Sequence, residues 1–508
     1  MLTKAYAAAV LGIGAEPVEI EVHAIASGDP HTRVVGLPDA AVKESTDRVR
    51  AALKNSLFKL KPASVTVNLA PADLKKEGPL YDLPIALALL AASEVISLPL
   101  LDQVPVIGEL ALSGEVRRVK GVLPIVLTLR DRGFKAVAVP VPNADEAALV
   151  EGIEIWPVSD LRQAVEYFSG QVRPQPHQID REACFAQPIG GEDFADVKGQ
   201  AAARRAIEVA VSGGHNLLMI GSPGCGKTML ARRIPSILPP LSVAEALEVT
   251  AIHSVAGVLK NSLMRERPYR TPHHTISDAG LIGGGTHPTP GEVSLAHCGV
   301  LFLDEFPEFH RHVLEVMRQP LEDGEVTIAR SAGTLTFPAD FMLVAAMNPC
   351  PCGFAGDPKR ECHCSEPALR RYRSRLSGPI LDRIDLHIDV PAVPFEELSS
   401  QSTGESSAVI RERVLKVRAL QAERYRDLPG VRCNADLPAG KLQKFCPLAP
   451  EAEVILRAAM TELGLTARAY TRILRVARTI ADMDGAETIT QTHLFEAIQY
   501  RSLDRSQW

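Results

Sequence analysis

The sequence predicts an α/β domain built on a mostly parallel sheet, with a mixed α+β domain before it and a helical domain after it. From Phe194 to about Val393, short apolar β runs alternate with amphipathic helices. From Pro394 onward the pattern is helical almost throughout, whereas the N-terminal region mixes alternating strands with helices. We therefore expect an N-terminal domain at residues 1–170 and a linker that contains Pro and Gly at 171–191. An α/β domain would follow at 192–393 and a helical lid at 394–508.

Composition limits the class of protein. The chain has 508 residues, which is too long for one hydrophobic core. Its net charge of −6 argues against a broad surface that coats nucleic acid, but allows a local basic stripe. We expect no membrane span, because the apolar stretch 83–101 is interrupted by Ser93, Glu94 and Ser97. Nine cysteines in a chain without an evident export signal indicate a cytoplasmic setting, with thiols used for metal or packing.

The most informative motif reads Gly-Ser-Pro-Gly-Cys-Gly-Lys-Thr and directly follows an apolar run at residues 216–220. Its glycines let the backbone turn so that N–H groups point at phosphates, while Lys227 reaches the outer phosphates and Thr228 ligates Mg²⁺. The motif predicts binding and hydrolysis of a nucleoside triphosphate. The residues assigned to nucleotide binding are Gly221, Ser222, Pro223, Gly224, Cys225, Gly226, Lys227 and Thr228.

Two further apolar strands end in polar residues. Residues 299–303 lead into Asp304, which is suited to hold Mg²⁺, and Glu305, which is suited to polarise the attacking water. Residues 341–346 lead towards Asn348, whose side chain could orient that water beside the γ-phosphate. These assignments depend on the phosphate-binding motif, because a lone strand followed by a polar turn is common.

Two arginines are candidates to contact the nucleotide from outside this motif. Arg383 lies between Asp382 and Asp385, and its guanidinium could reach the γ-phosphate of a neighbouring subunit. A structural salt bridge with one of those aspartates is the alternative. In the lid, Arg468 is a further candidate, but its helix carries other arginines between which the sequence does not choose: Arg472, Arg475 and Arg478.

Two Cys-x-Cys pairs lie close together in the chain, at Cys350 and Cys352 and at Cys362 and Cys364. Four thiolates on a short glycine-containing loop could close tetrahedrally on Zn²⁺. His363 could compete as a ligand, and free thiols or a labile disulfide are the alternatives. Four protein ligands would leave no open position for catalysis, so such a metal would brace the loop that follows Asn348.

Longer motifs carry a family resemblance. They read Arg-Pro-Tyr-Arg-Thr-Pro-His-His-Thr-Ile-Ser at 267–277, Pro-Gly-Glu-Val-Ser-Leu-Ala-His at 290–297, Asn-Pro-Cys-Pro-Cys-Gly at 348–353 and Ala-Arg-Thr-Ile-Ala-Asp at 477–482. With these motifs, the chain resembles an AAA+ ATPase of the magnesium-chelatase-like group, and more closely the bacterial ComM/YifB family. The similarity runs over nearly the whole length.

The resemblance implies roles for the candidate residues. Asp304 and Glu305 would form the Walker B motif, Asn348 sensor 1, Arg383 the arginine finger and Arg468 sensor 2. It also implies ATP and Mg²⁺ as cofactors, and a hexameric ring that translocates on DNA. For ComM, the implied activity is ATP-driven branch migration during homologous recombination in natural transformation. The alternative function is a protein-remodelling or metal-insertion ATPase, as in magnesium chelatase itself.

A β-hairpin is expected where residues 326–329 and 334–337 alternate on either side of a short turn. Arg330 lies near its tip, and in the ring motors that this chain resembles such a hairpin faces the pore. One cation per subunit could track the phosphates of single-stranded or branched DNA. A solvated arginine is the alternative. His273 and His274 lie in a Pro-flanked insertion, where packing explains them as well as nucleic-acid contact does.

The N-terminal region resembles the S5-like α+β proteolytic domain of Lon proteases. That family has a Gly-Pro-Ser nucleophile motif, but here Gly78 and Pro79 are followed by Leu80. The family's catalytic lysine falls on Leu123; a shifted alignment would bring in Lys120, yet nothing replaces the serine. Without a nucleophile or its base, we expect no protease activity. The domain would serve assembly or DNA contact.

Overall fold

A computed structural model describes residues 1–27, 31–180, 191–285, 288–330, 333–357, 360–394, 397, 404–462 and 464–501. Contacts divide the chain into two compact units. The first comprises Met1–Gln187 and Val243–Arg265, and the second comprises Pro188–Ser242 and Glu266–Trp508. The segment Val243–Arg265 lies within the range that the sequence analysis assigned to the α/β domain, but its contacts are with the first unit.

The first unit is built on a four-stranded sheet in the order β1-β2-β4-β3. Strands β1, β2 and β4 pair antiparallel, and β3 pairs parallel to β4. In β2, Val18, Ile20 and Val22 are buried in alternation, as expected for a sheet with one face on a core. The strands of this unit are β1 Leu2–Leu11, β2 Gly14–Ala26, β3 Thr32–Val35, β4 Ala63–Ala70, β5 Glu109–Leu110, β6 Val116–Arg117, β7 Ala136–Pro140 and β8 Glu154–Val158.

The helices of the first unit include one from the inserted segment. Ser254, near the end of that helix, donates to Glu146 Oε1 (2.5 Å) and accepts from the Gly121 N–H (3.0 Å). All three groups are buried, so these bonds help to fix the insertion to its unit. The helices are Ala40–Asn55, Asp82–Ala92, Val122–Asp131, Ala144–Ala147, Leu161–Phe168 and Val243–Ala256.

The second unit contains a five-stranded sheet in the order β10-β13-β16-β9-β17, in which all neighbours are parallel. This confirms the α/β pattern with a parallel sheet that the sequence predicts. The antiparallel pair β14–β15 forms the predicted hairpin. The strands are β9 Leu217–Ile220, β10 Tyr269–Arg270, β11 Gly283–Gly284, β12 Thr289–Pro290, β13 Val300–Leu303, β14 Glu325–Arg330, β15 Gly333–Pro338, β16 Met342–Met347 and β17 Leu386–Asp389.

The C-terminal helices share one hydrophobic core with the sheet of the second unit. Leu217 and Phe302 of the sheet belong to the same buried cluster as Ile473 and Ile480 of the lid. Within the described residues, no helix is both long enough and apolar enough to cross a membrane. The helices of this unit are Ala201–Gly213, Lys227–Ile237, Asp278–Ile282, Glu292–Leu295, Arg311–Val316, Arg318–Asp323, Glu366–Arg373, Gly378–Leu381, Ser407–Arg424, Leu442–Phe445, Pro450–Glu462, Ala467–Met483 and Gln491–Gln499.

A buried polar network centres on Asp482 in the lid. Its carboxylate accepts hydrogen bonds from Arg424 (2.8 Å), Arg478 (3.0 Å) and Asn434 (2.9 Å), and its side chain is fully buried. Asn434 also donates to Thr479 Oγ1 at 2.9 Å. The carboxylate, the two guanidinium groups and the amide therefore all have partners. Without these partners, burying them would cost a large amount of free energy.

We expect Asp482→Ala to lower the free energy of unfolding by about 3–5 kcal/mol, because it leaves two guanidinium groups without their buried counter-ion. Asp484→Ala is the matched control: that carboxylate is half exposed and lies 3.3 Å from His493, so we expect a loss of at most about 1 kcal/mol. Denaturant unfolding of both variants measures the difference. Equal losses would contradict the structural role of the network.

Candidate nucleotide site and cysteine cluster

The phosphate-binding loop joins the buried strand β9 to the helix that begins at Lys227. Gly224 (φ 80°) and Gly226 (φ 99°) have left-handed backbones that other residues rarely adopt. A Cβ at Gly221 would lie 2.3 Å from the carbonyl oxygen of Val390, so only glycine fits that position. The Lys227 ammonium donates to the Gly221 carbonyl at 2.7 Å and lies over the loop.

The ends of β13 and β16 bring two more predicted residues to this loop. Thr228 donates from Oγ1 to Asp304 Oδ2 at 2.7 Å, so a hydroxyl and a carboxylate oxygen lie side by side. Asn348 Oδ1 accepts from Lys227 Nζ at 3.3 Å. A hydroxyl oxygen and a carboxylate oxygen suit Mg²⁺, and the lysine and the inward-turned backbone suit phosphate. The structure therefore gathers these four side chains at one edge of the sheet.

Glu305 contacts His274, for which the sequence left packing and nucleic-acid contact as alternatives. It adopts a left-handed backbone (φ 53°), and its carboxylate Oε2 lies 3.1 Å from His274 Nδ1. The centroid of the His274 ring lies 4.1 Å from that of the His273 ring, with the two planes tilted by 33°, and the ring meets Phe309 edge-on at 6.4 Å. His273 bonds instead to Thr275 at 2.9 Å. Of the two histidines, His274 is thus the one placed to orient Glu305.

Arg383 is buried and pairs within its own chain. It donates to the Pro379 carbonyl at 2.6 Å and forms an ion pair with Glu322. Burial lowers the pKa of Arg383. The two aspartates proposed as alternative partners bond elsewhere: Asp382 to Arg468 and Asp385 to Arg472. In this structure, therefore, Arg383 is anchored by Glu322, and its contacts are not with the phosphate-binding loop.

Burial separates the four lid arginines that the sequence could not rank. Arg478 is held by Asp482, and Arg475 donates to the Leu437 carbonyl at 2.9 Å. Arg472 pairs with the buried Asp385. Only Arg468 is largely exposed (65% of its side chain), with a 3.3 Å contact to Asp382. Arg468 is therefore the arginine of this helix with most freedom to meet a ligand, although it does not contact Lys227 or Thr228 here.

The predicted DNA contact lies at the end of the β14–β15 hairpin. The ladder runs from Glu325 paired with Pro338 to Arg330 paired with Gly333. Val326 and Phe337 are buried, so one face of the hairpin packs against the protein. The side chain of Arg330 and residues 331–332 lie outside the described part of the chain. The structure thus describes the hairpin but not its tip.

The two Cys-x-Cys pairs form one cluster. The Sγ atoms of Cys350, Cys352, Cys362 and Cys364 all lie within 4.8 Å of one another, and the group could hold a metal ion. The four cysteines are free thiols. Hydrogen bonding from the Phe354 backbone, with neighbouring thiols, lowers the pKa of Cys352 to about 6. His363 is not part of the grouped set.

Family models match most of the chain. Residues 193–398 match "Magnesium chelatase, subunit ChlI", and residues 404–501 match the C-terminal model of that subunit. Residues 20–143 match "Subunit ChlI of Mg-chelatase". The first unit therefore resembles part of a magnesium chelatase subunit. The side chains of Leu80 and Leu123 in this unit are buried.

Curated relatives extend the match to nearly full length. The chain is 45% identical to "Competence protein ComM" of Haemophilus influenzae, over 98% of this chain and 97% of the relative. It is 44% identical to the uncharacterized protein YifB of Escherichia coli, over 98% and 96%. The magnesium-chelatase 38 kDa subunit of Acidiphilium rubrum is 24% identical, over 59% of this chain and 87% of the subunit. The chain belongs to the ComM/YifB family of magnesium-chelatase-like AAA+ proteins, and the family implies ATPase activity with ATP and Mg²⁺.

If His274 orients Glu305, His274→Ala should lower kcat for ATP hydrolysis about 10- to 100-fold, because a displaced base activates water poorly. KM for ATP should change little, since the polar contact of His274 is with Glu305 and not with Lys227 or Thr228. His274→Asn, which keeps a hydrogen-bond donor, should recover part of the rate. Steady-state kinetics against ATP concentration measure both parameters.

His273→Ala is the matched control, because it removes the neighbouring ring without removing the contact to Glu305. In a Glu305→Gln background, measured under single-turnover conditions, His274→Ala should have little further effect. A parental kcat in His274→Ala, or an equal loss in the two backgrounds, would contradict the positioning role.

Proposed function

We propose that this chain is a ring-forming ATPase that translocates on DNA and promotes ATP-dependent branch migration during homologous recombination in natural transformation. The observation that carries the proposal is the one-sided nucleotide site. Lys227, Thr228, Asp304 and Asn348 gather at one sheet edge, while Arg383 is anchored away from them by Glu322. In the proposed ring, Arg383 of a neighbouring subunit would leave Glu322 and complete the site. The name of the ComM relative supports the competence-related role.

The second candidate is a protein-remodelling or metal-insertion ATPase. The family models favour it, because three segments of the chain match the magnesium chelatase subunit ChlI. Identity argues the other way, since the chain shares 45% with ComM over 98% of its length but 24% with the chelatase subunit over 59%. We therefore favour DNA as the substrate of the motor. A fold alone would not decide between these functions.

The DNA contact would come from the hairpin β14–β15, with Arg330 at the end of the ladder. One arginine per subunit, repeated round a hexamer, makes a local basic ring without making a chain of net charge −6 basic overall. The first unit would be a Lon-like domain without protease chemistry, used for assembly or DNA contact, because leucines occupy the positions of the catalytic serine and lysine. The proposed location is the cytoplasm.

The cofactors follow from the donor groups. Thr228 Oγ1 and Asp304 Oδ2 would hold Mg²⁺, which neutralises negative charge on the phosphates of ATP. Lys227 would bind the outer phosphates, Glu305 would take a proton from the attacking water, and Asn348 would orient that water. Arg468 would reach the phosphates from the lid. The four clustered cysteines would hold a structural Zn²⁺, since four thiolates suit that ion.

A three-strand branch-migration assay tests the DNA motor. The parental protein should move branches only with hydrolysable ATP, and Lys227→Ala should move none, because it loses the phosphate-binding ammonium. ATPase activity should rise with forked DNA, and that rise should weaken as salt increases. Lys416→Ala, on the exposed face of the helix Ser407–Arg424, is the control. ATPase activity that does not change when DNA is added would contradict the DNA motor and favour a protein-remodelling or metal-insertion ATPase.

Mixing two inactive variants tests whether subunits share the site. Lys227→Ala and Arg383→Ala should each lose most ATPase activity. Mixed in equal amounts, they should recover activity at about a quarter of the interfaces, where Lys227 of one subunit meets Arg383 of the next. Mixing Lys227→Ala with Glu305→Gln should recover nothing, since both changes damage the same half of the site. The shared site would be contradicted if the mixture of Lys227→Ala and Arg383→Ala had no ATPase activity, or if Arg383→Ala alone were fully active.

A further inference from the structure

The distances between the thiols of the cysteine cluster are close to those between the four ligands of a tetrahedral zinc site. The Sγ atom of Cys352 lies 3.3 Å from that of Cys350 and 3.6 Å from that of Cys362, and the Cys350–Cys362 distance is 3.7 Å. Four thiolates at about 2.3 Å from Zn²⁺ in a tetrahedron are separated by about 3.8 Å. The described chain therefore needs only small shifts of these side chains to bind zinc.

The same loop packs on the phosphate-binding loop. Gly353, which follows Cys352, faces Pro223 so closely that a Cβ would lie 2.6 Å from Pro223 Cδ. Asp357 lies between the two Cys-x-Cys pairs, and its Oδ2 accepts a 2.8 Å hydrogen bond from Ser222 Oγ. The segment that joins the four thiols therefore contacts two consecutive residues of the loop that would hold ATP.

The opposite end of the segment is tied to the same site. Asn348 precedes Cys350 by two residues, and its side chain accepts from Lys227 at 3.3 Å. Its backbone carbonyl accepts from the Tyr372 hydroxyl at 3.0 Å. The cysteine loop therefore joins two residues that both contact the phosphate-binding loop, Asn348 and Asp357.

We propose that Zn²⁺ bound by Cys350, Cys352, Cys362 and Cys364 clamps the phosphate-binding loop through Gly353 and Asp357, so that ATP binding depends on zinc. The inference rests on the proposed ATPase function and extends it to a second metal that controls the same site. In this proposal zinc would act on the nucleotide site only through the protein. It holds the loop whose contacts to Ser222 and Pro223 favour the ATP-binding conformation.

The test uses the full-length protein purified without chelators. Elemental analysis should find about one zinc per chain in the parent and almost none in Cys352→Ser/Cys364→Ser. A nitrogen-donor chelator that prefers Zn²⁺ to Mg²⁺ should weaken binding of a fluorescent ATP analogue about tenfold, the effect of losing one charged hydrogen bond. Added Zn²⁺ should restore it. The chelator should leave the zinc-free double variant unchanged, and Cys446→Ala, which alters a buried thiol outside the cluster, should retain zinc.

Asp357→Ala separates the clamp from the metal. The Asp357→Ala variant should keep its zinc but bind the ATP analogue about five- to tenfold more weakly than the parent. Chelation should then weaken ATP binding by clearly less than it does in the parent. Zinc removal without any loss of ATP binding, a parent without zinc, or full additivity of Asp357→Ala and chelation would overturn the inference.

Lys227→Ala separates this outcome from failure of the proposed function. It should retain zinc while losing ATP binding, since Lys227 lies outside the cysteine cluster. A parent that holds zinc but binds no ATP would overturn both proposals. A parent whose ATPase activity requires Lys227 but ignores zinc would overturn only the clamp.

Discussion

The parallel register of three neighbouring strands is the constraint on which the nucleotide site depends. In the sheet, β16 lies between β13 and β9, with Leu303 beside Ala345 and Ile220 beside Met347. Parallel strands end at the same edge, so the residues that follow them meet there. A shift of one residue in any of the three would turn its last side chains to the other face of the sheet. The contacts of Lys227 with Asn348 and of Thr228 with Asp304 therefore follow from strand pairing more than from local loop structure.

The part of the site that the sequence predicts is the part tied to strand ends. Asp304 and Asn348 each directly follow an apolar strand, so the pattern of hydrophobicity already indicates that they lie at the edge of the sheet where these strands end. The glycines of the phosphate-binding loop also predict local structure, because φ is positive at Gly224 and Gly226 and glycine adopts such a backbone easily. The hairpin β14–β15 was also predictable, since alternation over a few residues determines both its faces and its register.

The contacts that the sequence did not reveal join elements far apart in the chain. His274 was noted in a motif, but nothing in its neighbourhood pointed to Glu305, because the two approach only after β10 pairs with β13. Arg383 has two aspartates close in sequence, yet its partner is Glu322 of the helix Arg318–Asp323. Charge spacing along the chain suggests partners within a helical turn, whereas the partner of a buried arginine such as Arg383 is selected by tertiary packing. The same limit explains why the association of Val243–Arg265 with the first unit was not expected.

The cysteine loop adds a second constraint on the phosphate-binding loop, and it differs in kind from the first. The sheet fixes where the loop begins, at Ile220, and where Asn348 emerges. It does not fix Ser222 and Pro223, which lie beyond the last paired residue and contact Asp357 and Gly353 instead. A glycine-rich loop has more conformational freedom to lose than other loops, so ordering it before ATP arrives lowers the entropic cost of binding. The contacts of Gly353 and Asp357 supply part of that order on the outer side of the loop. Zinc bound by the four cysteines, as proposed above, would add to it, because the path from Cys350 through Gly353 to Asp357 is short.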